Sequence, residues 1–377
     1  MNEPIVQVVP IIDTEGPTTG RDDLFDNWDA LGEAMRMLTT ETRVRFRDSF
    51  GSPLKYSWDI LDWTGYSSDD HEFRRRGHDN RLHGVWNFYR STILTDAELQ
   101  KTGDGIYWHY HHPPKDGSWG WNDDWNDSAW HEYIIAKRML DFRFFPAVYR
   151  AGKYVENNAS SRWLERWIPF DFSSISPAKR EFCDWSRAPA DWSPYHPSVD
   201  DYQRPGTMKR LIARSLPVAA KGGSGTLQEE EVEKAFREAK EKGMALFSFH
   251  SHDYYKSIHS DFAAACGMVE KMSRAFRIPW KFSNALEAIR HYAEPVSGDF
   301  FLRLERDGAE VRITSSHAIF GEMPFVALEY ANGDTCRVDV RRKDQSWALT
   351  TPKGAVRIAA GAADQYGNTD VKILNLL

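Results

Sequence analysis

IVQVVPIIDTEG, residues 5–16, begins as a β-branched, largely apolar run and ends in two carboxylates. Such a run, with no alternation of polar residues, reads as a strand buried on both faces, the environment of a parallel sheet covered by helices. In a parallel α/β barrel the reacting groups stand at the C-terminal ends of the strands. The placement of Asp13 and Glu15 just where this strand runs out is therefore the first functional sign.

The rest of the first 296 residues extends the pattern. Val85 to Tyr89 reads as a strand, Asp96 to Lys101 as a short helix, and Ile106 to His111 as a strand. Ser128 to Leu140 reads as a helix started by a serine cap, Phe144 to Tyr149 as a strand, Ser160 to Trp167 as a helix, and Arg210 to Ser215 as a strand. Thr226-Leu-Gln-Glu229 has the form of a capping box before Val232, Ala235, Phe236 and Ala239, which recur at helical spacing. Met244 to Phe249 then reads as a buried strand, and an amphipathic helix follows from about Ser260. Alternating strands and helices imply a parallel sheet with helices outside, and about seven such units close a barrel. From residue 297 the texture changes to short alternating runs around Asp307-Gly308 and Asn332-Gly333, the dipeptides of tight hairpins. The expected organisation is an α/β barrel domain over residues 1–296, followed by a small antiparallel, sandwich-like β-domain over 297–377.

Composition narrows the function. The formal net charge is −7, and beyond Arg74-Arg-Arg76 there is no basic block. No nucleic-acid partner is expected. Three widely spaced cysteines form no disulfide framework, and the N-terminal apolar run is too short for an export signal or a membrane span. The expectation is a cytoplasmic protein without membrane insertion. Fifteen Trp, fifteen Tyr and twenty-one Phe are many, and several Trp lie in polar stretches such as WGWNDDW, residues 119–125. Aromatics beside Asn and Asp suit the faces of sugar rings, and they equally suit closing a core beneath long loops.

The strand ends carry the chemistry. YWHYHHPP, residues 107–114, holds His109, His111 and His112; YRAG, residues 149–152, holds Arg150; FSFHSHD, residues 247–253, holds His250 and His252. The period of two along a strand puts Asp13 with Glu15 on one face, and His109 with His111 on another. One carboxylate and two imidazoles form a donor set for a divalent ion that leaves positions open for water and substrate. A turn at Pro113 makes His112 an alternative to His111.

This constellation resembles the NodB-like polysaccharide deacetylases (carbohydrate esterase family 4 and relatives) over roughly residues 5 to 292. The resemblance implies a distorted (β/α)7 barrel and one divalent ion, zinc in the first place with cobalt or nickel as substitutes. By it, Glu15, His109 and either His111 or His112 hold the metal. Asp13 is the general base, Arg150 keeps it ionised, and His250 or His252 is the general acid. Asp171, in PFDFSS, stands near the fourth motif. HYHHPP departs from the family's usual histidine spacing, which is four. The implied activity is hydrolysis of the N-acetyl or N-formyl group of an amino sugar in a saccharide or polysaccharide precursor. Trp119, Trp121, Trp125 and Asp171 are the expected carbohydrate contacts. A glycosidase on a similar barrel and a catalytically silent saccharide-binding protein are the rival readings.

Overall fold

β1 (Ile5–Thr14) is buried along almost its whole length and is paired on both edges. A computed structural model describes residues 3–18, 20–63, 84–116, 122–218 and 226–376. The strands that surround β1 are β2 (Ser57–Trp63), β3 (Gly105–His111), β4 (Val148–Ala151), β5 (Phe170–Ser174), β6 (Leu211–Arg214), β7 (Leu216–Pro217), β8 (Met244–His252) and β9 (Trp280–Phe282). Their pairing order is β6-β5-β4-β3-β2-β1-β8-β7, with β9 added against the N-terminal half of β1, and every pairing is parallel. The two ends of that ladder, β6 and β7, are separated in the chain by Ser215 alone. The sheet is thus a nearly closed parallel barrel.

Strand alternation sorts the side chains. Val9, Ile11, Tyr107, Val148, Phe170, Phe172, Leu211, Ala213 and Leu246 form one buried cluster, which fills the lumen, and Ala285, Ala288 and Ile289 of the helix Ala285–Ile289 join it. Outward residues such as Val6, Val8 and Ile12 pack with Val232, Phe236, Phe262 and Val269 of the helices Glu229–Lys242 and Ile258–Phe276. Continuing the inward set toward the C-terminal ends gives Asp13 on β1, Asp59 on β2, His109 and His111 on β3, Arg150 on β4, and His250 and His252 on β8. The lumen is apolar in its lower part and ionisable at its upper rim.

Several elements differ from the expectations. Residues 84–92 form a helix, not a strand; Val85, Trp86 and Tyr89 are its buried residues, a spacing that one helical face accommodates. The strand of that unit is β2, whose Asp59 and Asp62 obscure its apolar character. Asp62 is satisfied by Arg138, whose Nε donates at 2.7 Å, and by Trp108, whose Nε1 donates at 3.0 Å. The proposed box at Thr226 does not cap the next helix, which starts at Glu229 after Gln228 with no side-chain cap; Glu229, Glu230 and Glu231 instead oppose the positive end of the helix dipole. Likewise the helix Trp130–Phe142 begins after Ala129 without the serine cap. Asn157 does cap the helix Asn158–Leu164, accepting from the Ala159 and Ser160 amides. β4 is confined to Val148–Ala151, later than the run from Phe144 suggests.

Beyond residue 300 lie two four-stranded antiparallel sheets. One contains β10 (Leu302–Asp307), β11 (Glu310–Ser315), β14 (Arg341–Lys343) and β15 (Ser346–Thr350); the other contains β12 (Phe325–Tyr330), β13 (Thr335–Val338), β16 (Ala355–Ala363) and β17 (Thr369–Asn375). Tight turns at Gly308 and Gly333, both with positive φ, close the hairpins β10–β11 and β12–β13. Phe325, Ala327 and Ala359 share a buried cluster with Ile134, Met139 and Phe145, so this part covers the barrel's flank at helix 130–142. Among the described residues, no helix is long and apolar enough to cross a membrane.

Candidate metal centre

Three donors converge at the rim. Glu15 Oε1 lies 3.4 Å from His109 Nε2 and 3.2 Å from His111 Nε2, and the two imidazole nitrogens are 3.3 Å apart. All three residues are buried. These separations are long for strong hydrogen bonds, which cluster near 2.9 Å. They match the edge of a tetrahedron: donors bonded at about 2.0–2.2 Å to a tetrahedral ion stand roughly 3.3–3.6 Å apart. The donor set could hold a divalent ion, and two of its members, Glu15 and His109, line the cavity.

The groups behind the donors hold them in place. His109 Nδ1 lies 3.1 Å from the Arg150 carbonyl, to which it donates, leaving the Nε2 lone pair available to a metal. Gly152 leaves room for His111: a Cβ there would stand 2.1 Å from His111 Cδ2. Asp253 fixes the turn after β1, accepting from the Glu15 amide at 3.0 Å and the Gly16 amide at 2.9 Å, while the Tyr89 hydroxyl donates to it at 2.6 Å. Burial pushes the Asp253 carboxyl up to about 7. Its role was not visible in the sequence, where the only local sign is its place directly after the histidine pair.

Asp13 stands beside the centre. Its Oδ1 accepts from Arg150 Nε at 2.6 Å, and Arg150 also donates to the Phe172 carbonyl at 2.7 Å. Burial works to raise the Asp13 pKa, but the Arg150 guanidinium, with His109 and His252, outweighs it and holds the carboxyl below its ordinary value. Glu15 is held well below its ordinary value, against burial, by His111 and His109. Burial pushes His111 down to about 4. His109 is shifted up despite burial, because Asp13 and Glu15 favour positive charge there. Asp59 lies 3.9 Å from Arg150 Nε and is pushed up to about 8 by burial and by the Asp13 charge.

His250 and His252 share one face of β8 but differ in surroundings. His250 is fully buried, with Nε2 2.9 Å from the Tyr154 hydroxyl and Nδ1 3.1 Å from Ser215 Oγ. His252 is partly exposed; its Nε2 lies 3.8 Å from Asp13 Oδ2 and 3.6 Å from Glu15 Oε1, and its ring stacks on Tyr254. Burial lowers both pKa values. A cavity of about 440 Å³ opens over Asp13, Glu15, His109, His250 and His252.

The remaining expected site residues lie elsewhere. His112 points to the outer face of β3, where it stacks on Trp125 and meets the Tyr110 hydroxyl at 3.0 Å. Trp125 is buried against Tyr110, His131 and Trp163 and does not line the cavity. It belongs to the core beneath a loop rather than to a sugar platform. Asp171 also faces outward and is ion-paired with Arg210, because its strand turns Phe170 and Phe172 into the lumen. Trp119 and Trp121 lie outside the described residues.

No family model matches the chain, and no curated protein matches it. Among solved structures, a Cellulomonas fimi endo-beta-1,4-mannanase double mutant aligns over 98% of this chain and 76% of its own, at 12% identity and a TM-score of 0.25. At that score the likeness carries no argument about fold or chemistry.

Proposed function

We propose that the protein is a metal-dependent amide hydrolase that removes the N-acyl group, acetyl or formyl, of an amino sugar on a barrel of the NodB type. The observation that carries this reading is the Glu15–His109–His111 triangle beside an arginine-held aspartate at the mouth of the cavity. When bound, a divalent ion supplies Lewis acidity, making water a nucleophile near neutral pH and drawing electron density from the amide carbonyl. Asp13 is the general base. Its Oδ1 is committed to Arg150, whereas Oδ2 is the oxygen nearest His252 and accepts the proton of the attacking water. Arg150 keeps that carboxylate ionised and oriented. His252 is the general acid, because its ring is partly exposed in the cavity, whereas His250 is fully buried and both of its nitrogens already have partners. It returns a proton to the departing amine.

Two-carboxylate glycoside hydrolysis fits less well. It needs one carboxyl raised enough to donate a proton. Both carboxyls that line the cavity at the centre, Asp13 and Glu15, are held low, and Asp59, which is raised, does not line the cavity.

The test is release of acetate or formate from N-acetyl and N-formyl amino sugars by zinc-loaded and chelator-stripped protein. Zinc should restore turnover over the stripped form by on the order of 10³-fold or more, the several kcal/mol that a Lewis acid contributes. Sugar cleavage that is equal in both forms, without acid release, would favour the glycosidase reading instead.

A further inference from the structure

The cations around the cavity differ in their partners. Arg150 is committed to Asp13 beneath the floor. Arg21, on the rim, is committed to Asp23, donating from Nε at 2.8 Å. Glu15 faces the two imidazoles. Arg180 also lines the cavity, and among the described residues no carboxylate lies within ion-pairing distance of it. Lys153 stands on the same wall.

Arg180 is held rather than loose. Its guanidinium lies over the Tyr154 ring, 4.8 Å from the centroid, and Arg150 lies 5.4 Å from the same ring. Tyr154 is therefore in contact with two cations, and its hydroxyl contacts His250. The segment carrying Arg180 is closed on itself by hydrogen bonds from the Arg180 amide to the Cys183 carbonyl and from the Trp185 amide to the Ala178 carbonyl, both at 2.9 Å. The buried Trp185 then donates from Nε1 to the Tyr154 carbonyl at 2.9 Å, which ties that segment to the wall. A guanidinium positioned on an aromatic face, at a cavity wall and without a carboxylate, presents its donors to an incoming anion.

We infer that Arg180 receives an anionic group, phosphate or carboxylate, of the acylated amino sugar, so that the substrate is an acidic rather than a neutral saccharide unit. The inference rests on the amide-hydrolase reading for the sugar and its acyl group, and on Arg180 alone for the charge. Two sources of negative charge share this chemistry: a sugar phosphate, including the phosphate of a nucleotide or a lipid carrier, and a uronic acid.

Calorimetric binding separates the possibilities. N-Acetylglucosamine, its 1-phosphate, its 6-phosphate and N-acetylglucosaminuronic acid would be titrated into zinc-loaded and chelator-stripped protein carrying Asp13→Asn, so that substrate is not consumed. The same series would be run with Arg180→Ala and Arg180→Lys added. At least one charged probe should bind about 10–100-fold more tightly than the neutral sugar, the worth of one charge-assisted contact. Arg180→Ala should abolish that preference and leave neutral binding unchanged, while Arg180→Lys should retain part of it. Which charged probe gains shows whether phosphate or carboxylate is meant. A preference that survives Arg180→Ala would place the anion elsewhere, on the metal or on Lys153, and overturn the inference. So would equal behaviour of charged and neutral probes, including no binding of either. The stripped protein keeps the two readings apart: a preference that depends on Arg180 without zinc supports the anion site even where the metal reading fails.

Discussion

Replacing Asp13 by Asn is expected to reduce hydrolysis by about 10²–10⁴-fold in kcat, the usual contribution of a positioned general base, while metal content stays as in the wild type. The amide oxygen of the variant would remain toward Arg150, because a second donor there would repel the guanidinium, so an NH₂ group takes the place of Oδ2. That group cannot accept a proton from water. The fold should survive because of a neighbour. Asp59 is kept protonated first by burial and then by the Asp13 charge, and it lies 3.9 Å from Arg150. Without the Asp13 charge, Asp59 ionises more readily and supplies the compensation that Arg150 needs. Arg150→Met offers no such remedy, since it leaves a buried carboxylate unpaired, a change that typically costs about 3–5 kcal/mol. Paired kinetic and thermal-melt measurements check this. Wild-type kcat in Asp13→Asn would remove Asp13 from the chemistry.

Gly152→Ala is expected to empty the metal centre although Gly152 donates nothing to it. The added carbon would stand 2.1 Å from Cδ2, 2.4 Å from Cγ and 2.7 Å from Nε2 of His111. That imidazole is buried and cannot retreat without leaving Glu15. Displacing one donor should weaken metal binding by at least the ~10–100-fold seen when the support of a ligand is lost, with an overpacking penalty of about 1–3 kcal/mol in stability. Equilibrium dialysis against a zinc buffer reads the first effect, and chemical denaturation of the metal-free protein the second. Wild-type affinity in this variant would mean that His111 is not a ligand.

The parts of the site that a single strand carries could be read before the structure. The run from Ile5 to Ile12 announced a buried parallel strand, and the period of two grouped Asp13 with Glu15 and His109 with His111. The same period separates His112 from His111, because β3 stays regular as far as His111. Alternation would also have turned Asp171 outward once Phe170 and Phe172 were recognised as lumen residues. What could not be read depends on partners distant in the chain. β2 was masked by Asp59 and Asp62: Asp62 is paired with Arg138 of another element, and Asp59 is kept protonated by burial and by Asp13 on the neighbouring strand. Asp253 acts on backbone amides 238 and 237 residues away, and no local pattern encodes that. Trp125 shows the converse: a tryptophan in a polar loop reads as exposed until the histidines and tryptophans it covers are known.

The central claim is that a divalent ion is held by Glu15, His109 and His111, and elemental analysis of purified protein tests it most directly. Wild type, Glu15→Ala, His109→Ala, His111→Ala and His112→Ala would be loaded with zinc, desalted and counted. The account predicts about one ion per chain in wild type and in His112→Ala, and a small fraction of that in the other three. Full occupancy in His111→Ala with loss in His112→Ala would contradict the geometry described here, and a folded wild type that takes up no zinc, cobalt or nickel would contradict the metal centre itself.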